Sequence, residues 1–204
     1  AGVSAGLLSG GAAPVAGDRM RHARVRILVR AAVLLPLGVL LAALGTRIAV
    51  ILPGYAVMFA MLTGALTWRP RRLLLAAGVV LLVAPLLVYL ARDALTGGHF
   101  GLLSYPAELL VGEYYPALVW IAYLLVGLAL ARLDLTDPAM PGRLILIGIP
   151  LAAVGYGAGA VAVRTIPDEH TLRRALLDAS PHADSAVEVV GNIGVALFVV
   201  AVCL

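Results

Sequence analysis

Apolar residues run along this chain in long stretches rather than in alternation, and short charged segments separate the stretches. A run of about 20 apolar residues is long enough for a helix to cross the hydrocarbon core of a bilayer. The pattern predicts spans at Ile27–Gly45, Ile48–Trp68, Leu73–Leu90, Tyr115–Ala131, Leu144–Val163 and Ala186–Leu204, preceded by the tail of another in Ala1–Ala16. Pro36 and Pro85 fall inside two runs and Pro53-Gly54 near the start of a third. Neighbouring helices can satisfy the carbonyls that such prolines free. The expected fold is all-α: a polytopic integral membrane helical bundle of about six spans plus a truncated first helix, forming one transmembrane domain over residues 1–204. The chain opens inside a Gly/Ala-rich stretch with no charged leader or cleavage site, which reads as a fragment of a longer protein.

Composition removes the soluble alternative. The 204 residues are 62% hydrophobic and 13% charged, with a mean hydropathy of +1.03. Soluble domains carry roughly 45–50% apolar and about 25% charged residues. The net charge of +4 is not a nucleic-acid footprint, because the basic residues sit in short connections between apolar runs, where they report topology. All fifteen are arginine. Ten (Arg19, Arg21, Arg24, Arg26, Arg30, Arg69, Arg71, Arg72, Arg132 and Arg143) share one set of alternate loops with three acids. Five arginines and eight acids occupy the other set. The arginine-rich face is expected to be cytoplasmic, in a bacterial plasma membrane. The lone Cys203 has no internal disulfide partner, no Cys/His cluster has zinc spacing, and no metal is expected.

The two long loops of the acid-rich face draw attention, since long loops tend to carry function. In the first, Leu102–Leu110 has the make-up of a short surface helix. In the second, Pro167-Asp168-Glu169 reads as a helix start. Glu113 and Tyr115 precede a span and are candidate lining residues of a vestibule, while Tyr114 and Trp120 read as interfacial anchors. Ser185 or Asp184 can cap the last span, with Glu188 completing a capping box. Glu188 and Asn192 stand four apart on one helix face, at a depth where an acid and an amide need a wet cavity or a partner helix. A cap plus an interhelical hydrogen bond would explain both as well as a site would. His182, beside Asp184, is a candidate general base, although a solvated loop histidine is the commoner case. Arg19 to Arg30 form a cationic strip suited to anionic lipid; no glycine-rich phosphate loop accompanies it. Gly155, Gly157 and Gly159 lie in an apolar run, where small residues allow close helix packing.

The segment Gly112–Asp134, with Tyr115-Pro116, Trp120, Tyr123, Gly127 and Arg132, resembles the YeiB-like bacterial membrane proteins. So does the run His182, Ser185, Glu188, Gly191 and Gly194-Val195-Ala196-Leu197. That family looks related to the heparan-α-glucosaminide N-acetyltransferase group. The resemblance implies acyl transfer from a donor such as acetyl-CoA or another acyl-CoA to an envelope sugar or lipid on the outer face. The group's catalytic histidine belongs to an early outer loop that would precede Ala1, so it maps onto no residue here. On this reading His182 and Glu188 are the catalytic candidates, and Glu113, Tyr115 and Asn192 shape the acceptor site. The alternatives are a transporter with Glu188 and Asn192 on its path, and a membrane assembly subunit without chemistry.

Overall fold

The computed structural model describes residues 1–45, 49–96, 104–166 and 171–204. Arg47, His99, Leu102-Leu103, Pro167, Asp168, Glu169 and His170 lie outside the described residues, and the side chain of Asp93 does too. Among the described residues nine α-helices follow in order: α1 Gly2–Leu8, α2 Gly17–Ala43, α3 Leu52–Leu62, α4 Pro70–Thr96, α5 Ser104–Val111, α6 Ala117–Ala131, α7 Met140–Thr165, α8 Leu172–Leu177 and α9 Ala186–Cys203. A 3-10 turn, Thr63–Ala65, extends α3. No strand occurs among the described residues. Four helices are long and apolar enough to cross a bilayer: Gly17–Ala43, Pro70–Arg92, Met140–Thr165 and Ala186–Cys203. The apolar stretches Leu52–Ala65 and Ala117–Ala131 are shorter. Leu75, Leu82 and Leu146 are each more than 70% exposed, an arrangement that only a lipid solvent makes favourable on this scale.

Helix α2 begins ten residues before the predicted span, because its first turns are amphipathic rather than loop. Met20, Ala23, Ile27 and Ala31 are buried at helical spacing, and Arg19, Arg21, Arg24, Arg26 and Arg30 project from the exposed faces between them. Helix α6 is the axis of the bundle. It packs against α1, α3 and α4, and ten of its fifteen residues are buried. Helix α7 stands outside this group and packs almost wholly on α9. The α7–α9 contact is backbone to backbone: a Cβ on Gly155 would collide with the Gly191 amide, and one on Gly194 with Ala152. A Cβ on Gly159 would strike Ala179. Gly157 differs from its neighbours in that a Cβ there meets nothing, so of the three predicted packing glycines Gly155 faces α9, Gly159 faces the connection before it, and Gly157 faces neither.

The alternate connections gather at opposite ends. At the arginine-rich end the last turns of α1, of α6 and of the 3-10 segment converge on the Arg132 guanidinium. One nitrogen donates to the Gly6 and Gly11 carbonyls at 3.1 and 2.5 Å. The other donates to Ser9 Oγ at 2.7 Å and to the Leu66 carbonyl at 2.5 Å. At the acid-rich end the tail of α4 meets the starts of α6 and α9, and this is where the candidate residues lie.

Candidate functional site

The site is built on a turn and a loop that feed the first turns of α6 and α9. Pro116 caps α6, and the residue before it, Tyr115, has φ of 54°. A tyrosine in the left-handed region is uncommon, and a following proline further restricts the backbone. Before α9, His182 and Asp184 adopt φ of 66° and 56°. These three are the only non-glycine residues with positive φ among the described residues. Each such conformation costs on the order of 1–3 kcal/mol and persists only where surrounding contacts impose it.

Those contacts come largely from Glu188. Its two carboxylate oxygens accept the backbone N–H groups of His182 at 2.9 Å and of Asp184 at 2.7 Å. Ser185 caps α9 by accepting the Glu188 N–H at 3.1 Å, while its hydroxyl donates to the Asp178 carbonyl. The predicted capping box therefore forms with one change. The acid reaches past the cap residue to two amides of the strained loop instead of returning to Ser185. Charge-assisted bonds of this kind are stronger than neutral ones. Farther out, the Asp178 carboxylate accepts the Ser180 N–H at 2.8 Å and pairs with Arg174 at 3.6 Å.

The strained residues present an aromatic cup. Tyr115 stands edge-on to both Trp120 and His182, with ring centroids 5.0 and 5.1 Å away. Trp120 and His182 lie nearly parallel at 6.5 Å and 14°. The His182 ring is exposed, whereas Tyr115 and Trp120 are half-buried. Trp120 is no simple interfacial anchor, because its indole N–H donates to Asp184 Oδ1 at 2.7 Å. The other oxygen of Asp184 faces Arg92, from the tail of α4, at 3.5 Å. Asp184 is 2% exposed. Burial pushes its carboxyl up to about 6, with Glu188 adding to the rise and Trp120, Arg92 and His182 opposing it.

Asn192 sits one layer deeper. Its amide donates to the Tyr123 hydroxyl at 2.9 Å, and its carbonyl accepts the Tyr156 hydroxyl at 2.6 Å. It thereby joins α6, α7 and α9. Tyr123 in turn touches Trp120, with centroids 5.2 Å apart. Of the sequence candidates, Tyr115 and His182 share the cup and Glu188 holds it from behind. Asn192 is linked to it through Tyr123, and Glu113 is exposed on the turn without a hydrogen bond or ion pair among the described residues. Trp120 and Arg92 were not legible as site residues. Their common partner, Asp184, is 64 and 92 positions away, and neither spacing carries a local signal. No family model, no curated protein and no solved structure matches this chain.

Proposed function

We propose that the chain forms the acceptor side of a membrane-embedded acyltransferase, with the aromatic cup as the acceptor site and His182 as the general base. One observation carries the reading: the three left-handed non-glycine residues among the described residues gather at one cup, and a buried carboxylate clasps the backbone of two of them, His182 and Asp184. Strain concentrated in this way is a mark of functional sites. Flat rings with an exposed imidazole between them suit a sugar or a polar lipid headgroup, whose apolar ring faces stack while hydroxyls reach outward. In this reading neutral His182 takes the proton of an acceptor hydroxyl as that oxygen forms its bond to the acyl carbon. The bond from the acyl carbon to its carrier breaks, and the proton passes to the carrier's leaving atom. Glu188 is then a positioning residue, with both oxygens occupied by backbone amides. Glu113 and Tyr115 border the opening.

An acyl-CoA donor finds no phosphate cradle at the cup. Arg92 and Arg174 face Asp184 and Asp178, and ten of the fifteen arginines belong to the opposite end. The chemistry assigned here is therefore limited to what the chain's own residues do to the acceptor. A transport reading draws instead on the Tyr123–Asn192–Tyr156 chain, which continues inward from the cup.

The deciding experiment measures thiol release from acetyl-CoA and label transfer to envelope glycans and lipids, using the full-length protein in nanodiscs. Transfer abolished in His182→Ala, with an unchanged melting temperature, supports the proposal. Glu188→Gln should lower transfer at least about tenfold while the glutamine keeps part of the loop clasp. A folded wild type that neither turns over nor binds an acceptor, yet moves solute across a sealed vesicle, would overturn the enzyme reading in favour of transport.

A further inference from the structure

The α7–α9 pair leans on the rest of the bundle and leaves a slot against α4 and α6. The cavity is about 310 Å³, and its lining side chains are all apolar. On α4 it runs from Pro70 to Leu81, eleven residues or about 16 Å of helix. That is close to the ~15 Å hydrocarbon depth of one leaflet. A helix about 10 Å across would need far more volume over that length, so the slot suits an extended hydrocarbon chain rather than a helix. Leu74 and Ile147, each 52% exposed, mark its open side toward the bilayer. A Cβ placed on Gly78 meets nothing within 4 Å, so the slot has room at mid-depth.

Its mouth is charged. Arg69, Arg71 and Arg72 flank Pro70, are exposed, and pair with no acid among the described residues. On the facing lip Arg143 precedes Leu144 and is held by Asp137 at 2.8 Å. The slot ends at Val126 on α6, about 9 Å along the helix from Trp120, so it is separate from the cup. We propose that this slot is a binding site for an anionic phospholipid of the arginine-rich leaflet. One acyl chain fills the groove, and the phosphate rests on Arg69, Arg71 and Arg72.

The test is native mass spectrometry of the full-length protein after detergent exchange, with equal amounts of dioleoyl phosphatidylglycerol and dioleoyl phosphatidylcholine added. One retained phosphatidylglycerol per chain, preferred about tenfold over phosphatidylcholine, is expected from the arginine mouth. Replacing Arg69, Arg71 and Arg72 together by Gln should erase the preference but leave a lipid bound. Gly78→Phe should expel both lipids without lowering the melting temperature, and Leu74→Trp provides a second plug if that variant folds poorly. Millimolar inorganic phosphate should not displace the lipid, because the chain anchors it. Equal retention of the two lipids by the wild type would overturn the proposal, as would phosphatidylglycerol held undiminished in both plugged variants. A lipid-free dimer would assign the slot to a second copy.

Discussion

Both ends of the bundle bury a charge, and they treat it in opposite ways. Arg132 is 6% exposed and has no carboxylate partner among the described residues. It lies instead among carbonyls at the ends of α1 and of the 3-10 segment, together with the Ser9 hydroxyl, and its Nε is buried without a partner among the described residues. Helix C-termini carry partial negative charge from their terminal carbonyls, so two of them can serve a cation without an acid. Asp184 has named partners in Trp120 and Arg92, yet its ionised form is disfavoured. The backbone around it is strained and the neighbouring His182 ring is open to solvent. A buried charge is therefore a poor marker of function. Strain together with solvent access is a better one.

The sharpest way to break this comparison is Arg132→Met. Removing the guanidinium leaves the Gly11 and Leu66 carbonyls without a donor and should cost roughly 2–6 kcal/mol, read as a large drop in melting temperature in detergent. An Arg132→Met protein as stable as wild type, with acceptor binding lost, would make that end a site as well.

The next effect is smaller and depends on pH. A carboxyl whose folded value is raised to about 6, from an ordinary value near 4, favours folding in its protonated form. Its contribution is full below about 4 and is lost as pH rises through about 6. Chemical denaturation of the wild type between pH 4 and 7.5 should show a falling component of roughly 1–3 kcal/mol. Asp184→Asn should flatten it. A slope that survives in the variant would place the titration elsewhere.

The smallest effect is expected at His182. Glycine there relieves a left-handed strain of about 1–3 kcal/mol, and it forfeits ring contacts worth about 0.5–1.5 kcal/mol each. His182→Gly should leave stability within about 1 kcal/mol of wild type while removing activity. A loss as large as that of Arg132→Met would mark the ring as a structural plug.

Much of the architecture was legible because lipid imposes a coarse code. Long apolar runs became helices, and the alternation of charged connections separated the two ends. Boundaries failed where charge was equated with loop. The arginines before Ile27 belong to α2, and the buried stripe of Met20, Ala23 and Ile27 was the signal that shows it. Gly157 was grouped with Gly155 and Gly159 by composition, whereas helical phase turns it the other way. At the cup, the Ser185 cap and the Glu188 acid could be read from a four-residue pattern. The left-handed backbone of Tyr115, His182 and Asp184 could not, since no glycine announces it. Trp120 was hidden by its residue type, which is common at membrane boundaries for reasons unrelated to chemistry.

Helix α6 has a further consequence. Its fifteen residues span only about 22 Å, against a hydrocarbon thickness of about 30 Å, while α2 and α4 beside the central group run to 27 residues. Helix α6 thus falls about 8 Å short of that thickness, a shortfall that the longer helices around it do not share, so the turn that carries Tyr115 and Pro116 extends the chain where the helix itself stops.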